Sequence, residues 1–359
     1  MKPIRWISLA ALAAAVLLSS ARLSPAMPAI AQDSQFPTLT PIPPTLTPLP
    51  TGSTLFVTKL EDTNDSVCDA DCSLREAVSN APENARIIIS AKGLFQLKTG
   101  LEINKSLSIV GSGDKASDII LSGGKISTTV VDYRTGRARE NVHILLENFT
   151  VENTGIFNTW AAITTKDMVF KDSSVGIHNR LGKIFIDSST FINVSRRSVD
   201  SLDGYVELLN TTILSINSSI AVSTTRGKLK IINNTLYGKI NLDLAGTSVE
   251  VINSILVSIQ YGRNCKLFIL PTVQTTIAAQ NSLQYPDDSC GSQIAVADPM
   301  LLPLADMGGK TPVMPLAEGS PAINAGNNFV CQRFSQSDQT GLDRIGICDI
   351  GAFEFRQKK

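Results

Sequence analysis

The sequence predicts an all-β chain folded as a parallel β-helix, a solenoid whose short strands stack coil upon coil. Three observations support this prediction. Small polar residues recur every 16 to 24 residues, apolar residues flank each of them at fixed offsets, and the apolar residues within a segment alternate. A repeat of this length indicates a solenoid, and alternation indicates strands with one buried face.

The repeat is defined by a ladder of small polar residues between about residues 144 and 256. Apolar residues stand four and two positions before each ladder residue and three positions after it. We expect these residues in tight turns, where Asn tolerates left-handed dihedrals and bonds the nearby backbone. One step of 16 residues is short, so either that coil is tight or the alignment there is wrong. The ladder residues are Asn148, Asp172, Ser188, Asn210, Asn233 and Asn253.

Two segments precede the predicted globular part. Residues 1–31 have the charged start, the apolar core and the Ala29-Ile30-Ala31 cleavage site of a secretory signal peptide. The alternative is an uncleaved anchor, although the apolar run is short for a membrane span. Residues 32–54 form a Pro/Thr-rich linker that favours extended chain. We then expect an N-terminal cap at residues 55–85, coils at 86–297 and an irregular C-terminal section at 298–359.

The charge balance argues against a strongly charged partner. The chain has 32 Lys and Arg residues and 32 Asp and Glu residues. Without a basic stripe, we expect neither nucleic acid nor an anionic membrane surface as a partner. No later segment is apolar enough to predict an integral membrane span. The sequence leaves the oligomeric state open.

The six cysteines fall into three close pairs. With an export signal, disulfides are the expected state. Sequential pairing is the most economical of the possible connectivities, but the sequence does not establish it. Both histidines, His143 and His178, lie far from every cysteine in the chain, so zinc binding is not expected. The pairs are Cys68 and Cys72, Cys265 and Cys290, and Cys331 and Cys348.

The predicted cap begins with a strand and continues into a short helix. Ser73-Leu-Arg-Glu76 has the form of a capping box, and the helix would cover the exposed first coil. The motif C-S-L-R-E-A at residues 72–77 follows an Asp-rich loop. It resembles the CSLREA domain of secreted, mostly bacterial β-helix proteins. The resemblance implies a right-handed solenoid and an extracellular or cell-surface location.

The Asp-rich loop is a candidate calcium site. Clustered carboxylates and one amide provide the oxygen ligands that calcium prefers. The loop lacks the Gly and terminal Glu of an EF-hand, and the alternative is a solvated turn held by a disulfide. No other cofactor is expected. The candidate ligands are Asp62, Asn64, Asp65, Asp69 and Asp71.

The C-terminal section is rich in Gly and Pro and predicts turns instead of coils. Its motifs GSPAINAG (319–326), DQTGLDR (338–344) and CDIGAFE (348–354) resemble the choice-of-anchor Q domain, which ends many secreted β-helix proteins. Surface-sorting signals often follow in that family. The sequence here ends in RQKK without such a signal, which favours release or non-covalent retention at the surface.

A charged loop at residues 195–205 is the candidate ligand site. Loops that leave a rigid solenoid often carry function, and aromatic rings with carboxylates could line a sugar groove. The alternative is an exposed loop whose charges pair with each other. The candidates are Trp160, Arg196, Arg197, Asp200, Asp203 and Tyr205.

The sequence favours a non-catalytic protein of the cell surface or extracellular space, with a structural, adhesive or carbohydrate-binding role. The alternative is a polysaccharide lyase or glycoside hydrolase of the pectate-lyase or polygalacturonase type. We assign no catalytic residue, and His178 is interpreted as a lone histidine. An enzyme should gather carboxylates and basic residues along one sheet, whereas a scaffold should scatter them. A cell-surface or extracellular glycan is the expected partner.

Overall fold

The computed structural model describes residues 52–129, 131–132, 137–138 and 142–357. The predicted signal peptide and nearly all of the linker lie outside these residues. The described chain is a parallel β-solenoid made of sheet A and sheet B, which confirms the predicted fold class. Two helices are present in the described residues, α1 (Leu74–Asn80) and α2 (Asn328–Phe334), together with a short 3-10 helix at Ala116–Asp118.

Sheet A forms one face of the solenoid, and its neighbouring strands are parallel. Strands are numbered in chain order. Sheet A contains β1 (Thr54–Val57), β2 (Ala85–Ile89), β5 (Leu107–Gly111), β10 (His143–Glu147), β13 (Ala162–Lys166), β16 (Lys183–Asp187), β19 (Tyr205–Leu209), β21 (Lys228–Ile232), β23 (Ser248–Ile252) and β25 (Thr276–Gln280). Because β1 belongs to this sheet, the stack of coils begins before the cap helix.

Sheet B bends to form two faces, here called B1 and B2. B1 contains β3 (Gly93–Leu97), β6 (Ile119–Gly123), β11 (Thr150–Glu152), β14 (Val169–Lys171), β17 (Thr190–Ile192), β26 (Leu283–Tyr285) and β27 (Ala295–Val296). B2 contains β4 (Leu101–Glu102), β7 (Ile126–Thr129), β12 (Ile156–Thr159), β15 (Val175–Arg180) and β18 (Arg197–Leu202). Three long strands continue from B1 into B2, namely β20 (Thr212–Thr225), β22 (Thr235–Ala245) and β24 (Ile255–Phe268). A separate antiparallel pair joins β8 (Val131–Asp132) and β9 (Arg137–Ala138).

The turn from sheet A into B1 is a row of single residues with left-handed backbone, here called the first-turn row. From Asn148 to Asn253, each backbone amide in this row donates to the carbonyl that precedes the equivalent residue of the next coil, as from Asn148 to Lys166. The row consists of Asn148, Asp167, Ser188, Asn210, Asn233, Asn253 and Asn281, with φ between 42° and 61°.

The predicted ladder was therefore wrong at Asp172. Asp172 belongs to the second-turn row, between B1 and B2, with Asn153 and Asn193. The position in the first-turn row is Asp167, because Lys166 pairs with Asp187 in the sheet A register. The apolar pattern passed over Asp167 because the core position two residues before it is Thr165, which is fully buried but not apolar. With Asp167 in place, the short step of 16 residues disappears.

The inward side chains of sheets A and B form one continuous hydrophobic core along the solenoid. The fully buried Phe170 and Phe191 illustrate its regularity, since their rings stack on adjacent coils with centroids 4.5 Å apart. Burying such rings contributes about 1.5–3 kcal/mol each. Core residues therefore repeat in register, and the outward positions between them remain for other roles.

Helix α1 closes the N-terminal end as the sequence predicts. The Ser73 side chain accepts from the amide of Glu76, and the Glu76 carboxylate accepts from the amide of Ser73 at 2.7 Å. Arg75 holds the preceding loop through two hydrogen bonds to Asp62, at 2.7 and 2.9 Å. The helix buries four of its own residues, namely Leu74, Glu76, Ala77 and Val78.

The C-terminal section runs along the outside of B1 and over the first-turn row. Ala322 and Ile350 pack with outward-facing B1 residues such as Ile255. The amide of Asn327 donates to Asn253 Oδ1 at 2.7 Å. Further along, Thr190 Oγ1 donates to the carbonyl of Pro312 at 2.6 Å. The section therefore covers the surface that faces away from the core on B1 from β11 to β26, whereas Leu94 on β3 is exposed.

All three sequential cysteine pairs are bridged. Their Cα–Cα distances are 4.5 Å for Cys68–Cys72, 4.9 Å for Cys265–Cys290 and 6.6 Å for Cys331–Cys348. The first bridge closes the cap loop and the second holds the end of β24. The third ties α2 to the segment around Cys348, within the C-terminal section. This bridge lies beside the first-turn row, where Asn253 Nδ2 is 3.3 Å from Cys331 Sγ.

Candidate functional site

Face B2 presents a line of mostly polar side chains to solvent, here called the B2 row. Its members come from successive coils and are direct register partners, so they lie one strand spacing apart, about 4.8 Å. The alternation of the strands places them outward, because the residues beside them, such as Ile177 and Val199, belong to the core. The row consists of Ser127, Phe157, His178, Asp200, Ser223, Asp243 and Lys266.

Asp200 lies at the centre of the row and is held by three neighbours. His178 Nδ1 lies 2.9 Å from Asp200 Oδ2, and Arg197 Nε lies 3.7 Å from Asp200 Oδ1. Ser223 donates a third contact from the next coil. Partial burial acts to raise the pKa of Asp200, but the His178 hydrogen bond and the Arg197 charge outweigh it and hold the pKa below its usual value. Asp200 is therefore a fixed carboxylate at neutral pH.

Asp243 lies two coils further along and has a different environment. Partial burial raises its pKa, and the charge of Asp200 adds to this effect, while Lys266 and Arg197 oppose it. In the described part of the chain, Asp243 Oδ1 is buried without a hydrogen-bond partner. The row thus contains two carboxyl groups of the same type whose environments move their pKa values in opposite directions.

Both ends of the row combine an aromatic ring with an ammonium group. Lys125 Nζ lies 4.2 Å from the centroid of the Phe157 ring, and this ring is 6.0 Å from the ring of His178. At the other end, Lys266 Nζ lies 4.6 Å from the centroid of the Phe268 ring. Such pairs present a flat apolar surface beside a positive charge. The B2 row is therefore a polar strip with an aromatic side chain near each end.

The six predicted ligand residues do not form one site. Arg197 and Asp200 belong to face B2 as described. Asp203 lies in the turn between B2 and sheet A, where Arg226 donates to both of its carboxylate oxygens at 2.8 Å. Arg226 lies outside the predicted loop, so this pair is not one of the pairs within the loop that the alternative predicts. Trp160 lies two coils earlier in the same turn row and is 43% exposed.

The remaining two candidates face elsewhere. Tyr205 starts β19 on sheet A, where its hydroxyl donates to Glu207 and its ring lies 5.6 Å from Phe185. Arg196 is exposed just before β18, and its amide donates to the carbonyl of Ser174. Neither side chain belongs to the B2 row, so the predicted groove over residues 195–205 is replaced by a row across coils.

Sequence reasoning missed most of the row. From the sequence alone His178 is a lone histidine, whereas β15 and β18 place it directly beside Asp200. The motifs of the sequence do not point to Ser223, Asp243 or Lys266. Their spacing carried a usable signal, since the steps from His178 to Lys266 are 22, 23, 20 and 23 residues. These steps match the coil length, which is the pattern expected of residues stacked on one face.

The structure does not gather the proposed calcium ligands. Asp62 is engaged by Arg75, and Asp71 accepts from Lys59 Nζ at 3.0 Å. Asn64, Asp65 and Asp69 each accept from a backbone amide two residues later, so these oxygens are used within local turns. Among the described residues, no group of three or more His, Cys, Asp or Glu side chains could hold a metal ion. The calcium prediction at this loop is therefore not supported.

The comparisons with known proteins returned solved structures only. No protein-family model matches the chain, and no curated protein matches it. A crystal structure of pectate lyase Pel9A is similar at 14% identity and a TM-score of 0.34, over 86% of this chain and 98% of that chain. A rhamnogalacturonan lyase is similar at 9% identity and a TM-score of 0.38, over 79% and 99%. Similarities this low do not carry either activity over to this chain.

The described residues contain no helix with the length and apolar character needed to cross a bilayer.

Proposed function

We propose that this chain is an extracellular protein that binds a linear polysaccharide along the B2 row. The observation that carries the proposal is the line of His178, Asp200, Ser223, Asp243 and Lys266 on successive coils of one open face. A polymer lying along the solenoid meets a hydrogen-bonding side chain at every coil. The proposal makes B2 the binding face and excludes the first-turn row, where Asn210, Asn253 and Asn281 bond the C-terminal section.

The shape of the face favours a polymer over a small molecule. Small ligands bind in concave pockets that enclose most of their surface, whereas this row extends over several coils of a sheet. Sugar hydroxyls both donate and accept, which suits a strip of alternating carboxylate, hydroxyl and cationic groups. Phe157 and Phe268 add surfaces on which sugar rings can pack.

The signs of the charges argue against nucleic acid. A phosphate backbone requires a continuous basic surface. In the B2 row, Lys266 is the one Lys or Arg residue and two carboxyl groups, Asp200 and Asp243, accompany it, and the whole chain carries no net charge. Phosphates lying along the row would meet these two carboxyl groups within a few ångströms.

An extracellular location belongs to the same proposal. Three disulfides persist in oxidising compartments and are rare in reducing ones. The predicted signal peptide at residues 1–31 fits this location, and its processing is tested by N-terminal sequencing of protein recovered from culture medium. A mature N-terminus at or near residue 32 is the expected result.

The binding proposal is tested by affinity electrophoresis of the full chain in gels containing polygalacturonate, arabinoxylan, galactomannan or mixed-linkage β-glucan. We expect retardation by at least one polymer, and at least about tenfold weaker binding for Lys266→Ala and for His178→Ala, since hydrogen bonds to charged groups are worth about 1.5–3 kcal/mol. The matched control is Lys228→Ala, which removes the same charge from an exposed position on sheet A.

The control should bind within about twofold of the parent chain. Retention of full affinity by both B2 variants, or an equal loss in Lys228→Ala, would contradict the assignment of the binding face. Failure of every polymer to retard the parent chain would contradict polysaccharide binding itself.

A further inference from the structure

The B2 row contains a pair of carboxyl groups with a defined separation. Asp200 pairs in register with Ser223, and Ser223 pairs with Asp243, so the two carboxyl-bearing residues are two coils apart. At about 4.8 Å for each step, the backbone positions of the two residues lie about 9.6 Å apart along the row. Glycosidases that invert configuration separate their two carboxyl groups by about 6.5–9.5 Å, whereas retaining enzymes need about 5–5.5 Å. The separation leaves room for a water molecule beside a sugar bond.

The two carboxyl groups also differ in the way that acid and base require. Asp200 contacts His178, Arg197 and Ser223, all of which favour its charged form. Asp243 faces Lys266 and Arg197 but has one oxygen buried without a partner in the described residues, and burial favours its neutral form. When environments push the pKa values of two groups apart, one is suited to accept a proton and the other to donate one.

We infer that the B2 row hydrolyses the polysaccharide it binds, with Asp200 as general base and Asp243 as general acid, and with inversion at the anomeric carbon. This inference rests on the proposed function, because the glycan must first lie along the row. It assigns catalytic roles that the composition and motifs of the sequence did not indicate.

The reaction balances with water as the only co-reactant. The Asp200 carboxylate takes one proton from a water molecule, whose oxygen forms a bond to the anomeric carbon. The bond between that carbon and the glycosidic oxygen breaks, and its electron pair stays on the leaving oxygen. Asp243 gives its proton to that oxygen. A proton passing from Asp200 back to Asp243 through solvent restores both groups.

His178 is a positioning residue in this scheme. Its Nδ1 contact with Asp200 Oδ2 fixes the carboxylate and lowers its pKa. His178→Ala should therefore move the acidic limb of the pH profile of kcat/KM to higher pH, because Asp200 loses the group that favours its charged form. A purely structural role would lower the rate without moving this limb.

The experiment incubates the full chain with each of the four polymers and reads three products. Reducing ends report hydrolysis, proton NMR of the first product reports its anomeric configuration, and ultraviolet absorbance reports unsaturated ends. We expect inverted reducing ends from at least one bound polymer. Asp200→Asn and Asp243→Asn should each lower the rate at saturating polymer about 100-fold or more. The matched control is Asp172→Asn, an exposed carboxylate in the second-turn row, which should keep the parent rate.

Each other outcome removes part of the inference. Binding without any product would refute catalysis and leave the proposed function standing, whereas absence of binding would refute the proposed function and hydrolysis along the row with it. Unsaturated ends would replace hydrolysis by elimination, and retained configuration would exclude the direct attack of water. An equal loss in Asp172→Asn would show that the effect is not specific to the row.

Discussion

Faces B1 and B2 are two halves of one sheet, and they share three long strands, but their outward surfaces differ in exposure and composition. From β11 to β26, the outward row of B1 is between 0 and 6% exposed because the C-terminal section covers it, whereas Leu94 at the start of the row on β3 is 51% exposed. The covered part of the row consists of Thr150, Val169, Thr190, Thr212, Thr235, Ile255 and Leu283. The B2 row is more open, with the His178 side chain 37% and the Asp200 side chain 19% exposed, although Ser223 between the two aspartates is 6% exposed. Position on an outward row therefore does not predict exposure, and polar residues on the covered face serve the fold.

The chemistry of the two faces differs accordingly. On B1, polar groups are satisfied internally, as at Gln339, whose amide nitrogen donates to Thr190 Oγ1 at 2.8 Å and whose oxygen accepts from Thr212 at 2.6 Å. On B2, His178 and Asp200 bond each other, but Asp243 Oδ1 lacks a partner among the described residues. Threonine and glutamine suit a dry interface, whereas charged groups suit contact with a hydrated ligand.

The largest loss of unfolding free energy is expected at Arg344, a buried charge in the C-terminal section that covers B1. The Arg344 side chain is 3% exposed and contacts Glu354 at 3.2 Å, Asn210 Oδ1 at 3.0 Å and the carbonyl of Gly351 at 3.0 Å. Arg344→Met leaves the Glu354 charge buried without this partner, which should cost about 3–5 kcal/mol of unfolding free energy. Urea denaturation measures this loss.

The matched control is Arg226→Met, which breaks a solvent-exposed pair with Asp203. Exposed pairs contribute about 0–1 kcal/mol, so the control should unfold near the parent midpoint. Similar losses in both variants would mean that the C-terminal section is not held by this buried contact.

A smaller difference in stability is expected between substitutions in the first-turn row and in the second-turn row. Asn253 and Asn193 have nearly equal backbone dihedrals, with φ of 48° and 53°, so replacement by Ala strains both turns alike. Asn253 also bonds the backbone of Asn327 through both ends of its amide, at 2.7 and 3.3 Å, whereas Asn193 is exposed. We expect Asn253→Ala to lose about 1–3 kcal/mol more than Asn193→Ala. Thermal unfolding of the two variants measures the difference, and equal losses would show that docking adds nothing to the turn.

The smallest effect is a contrast in the pH dependence of stability between the N-terminal cap and the C-terminal section. At the cap, hydrogen bonds from Ser73, Thr63 and Asp65 outweigh burial and lower the pKa of Glu76 to about 2. Its stabilisation is present above the unfolded value of 4.5 and is lost as the pH falls towards 2. In the C-terminal section, burial raises the pKa of Asp349 to about 6 from 3.8. Its contribution is fully present below about pH 4 and is lost as the pH rises through 6.

The unfolding free energies of Glu76→Gln and Asp349→Asn, each relative to the parent chain between pH 3 and 8, test this contrast. The loss in Glu76→Gln should shrink as the pH falls below 4.5. Asp349→Asn should improve relative to the parent by roughly 1 kcal/mol as the pH rises from 4 to 7. Parallel pH curves for the two variants would contradict the opposite environments of these carboxyl groups.

Much of the scaffold can be predicted from the sequence, and the errors of that prediction have physical causes. The pattern around Asn210 and Asn233 placed both residues in the correct turn, because apolar side chains occupy every nearby core position. The pattern failed at Asp167, where Thr165 fills a core position that hydrophobicity alone does not detect. The predicted ligand loop failed for a related reason, since proximity along the chain joined Asp200 to Tyr205, which lies on a different sheet.

By itself, the sequence determined the parallel coils, the cap at Ser73 and Glu76, and most of the turn row, because strand alternation and turn chemistry are local properties that recur along the chain. Only the tertiary structure decided which outward face is closed and which is open. Gln339 reaches Ser189 across 150 residues, and His178 meets Asp200 only because one coil brings the chain back into register. Contacts of this kind depend on the stacking of coils, which no local pattern specifies.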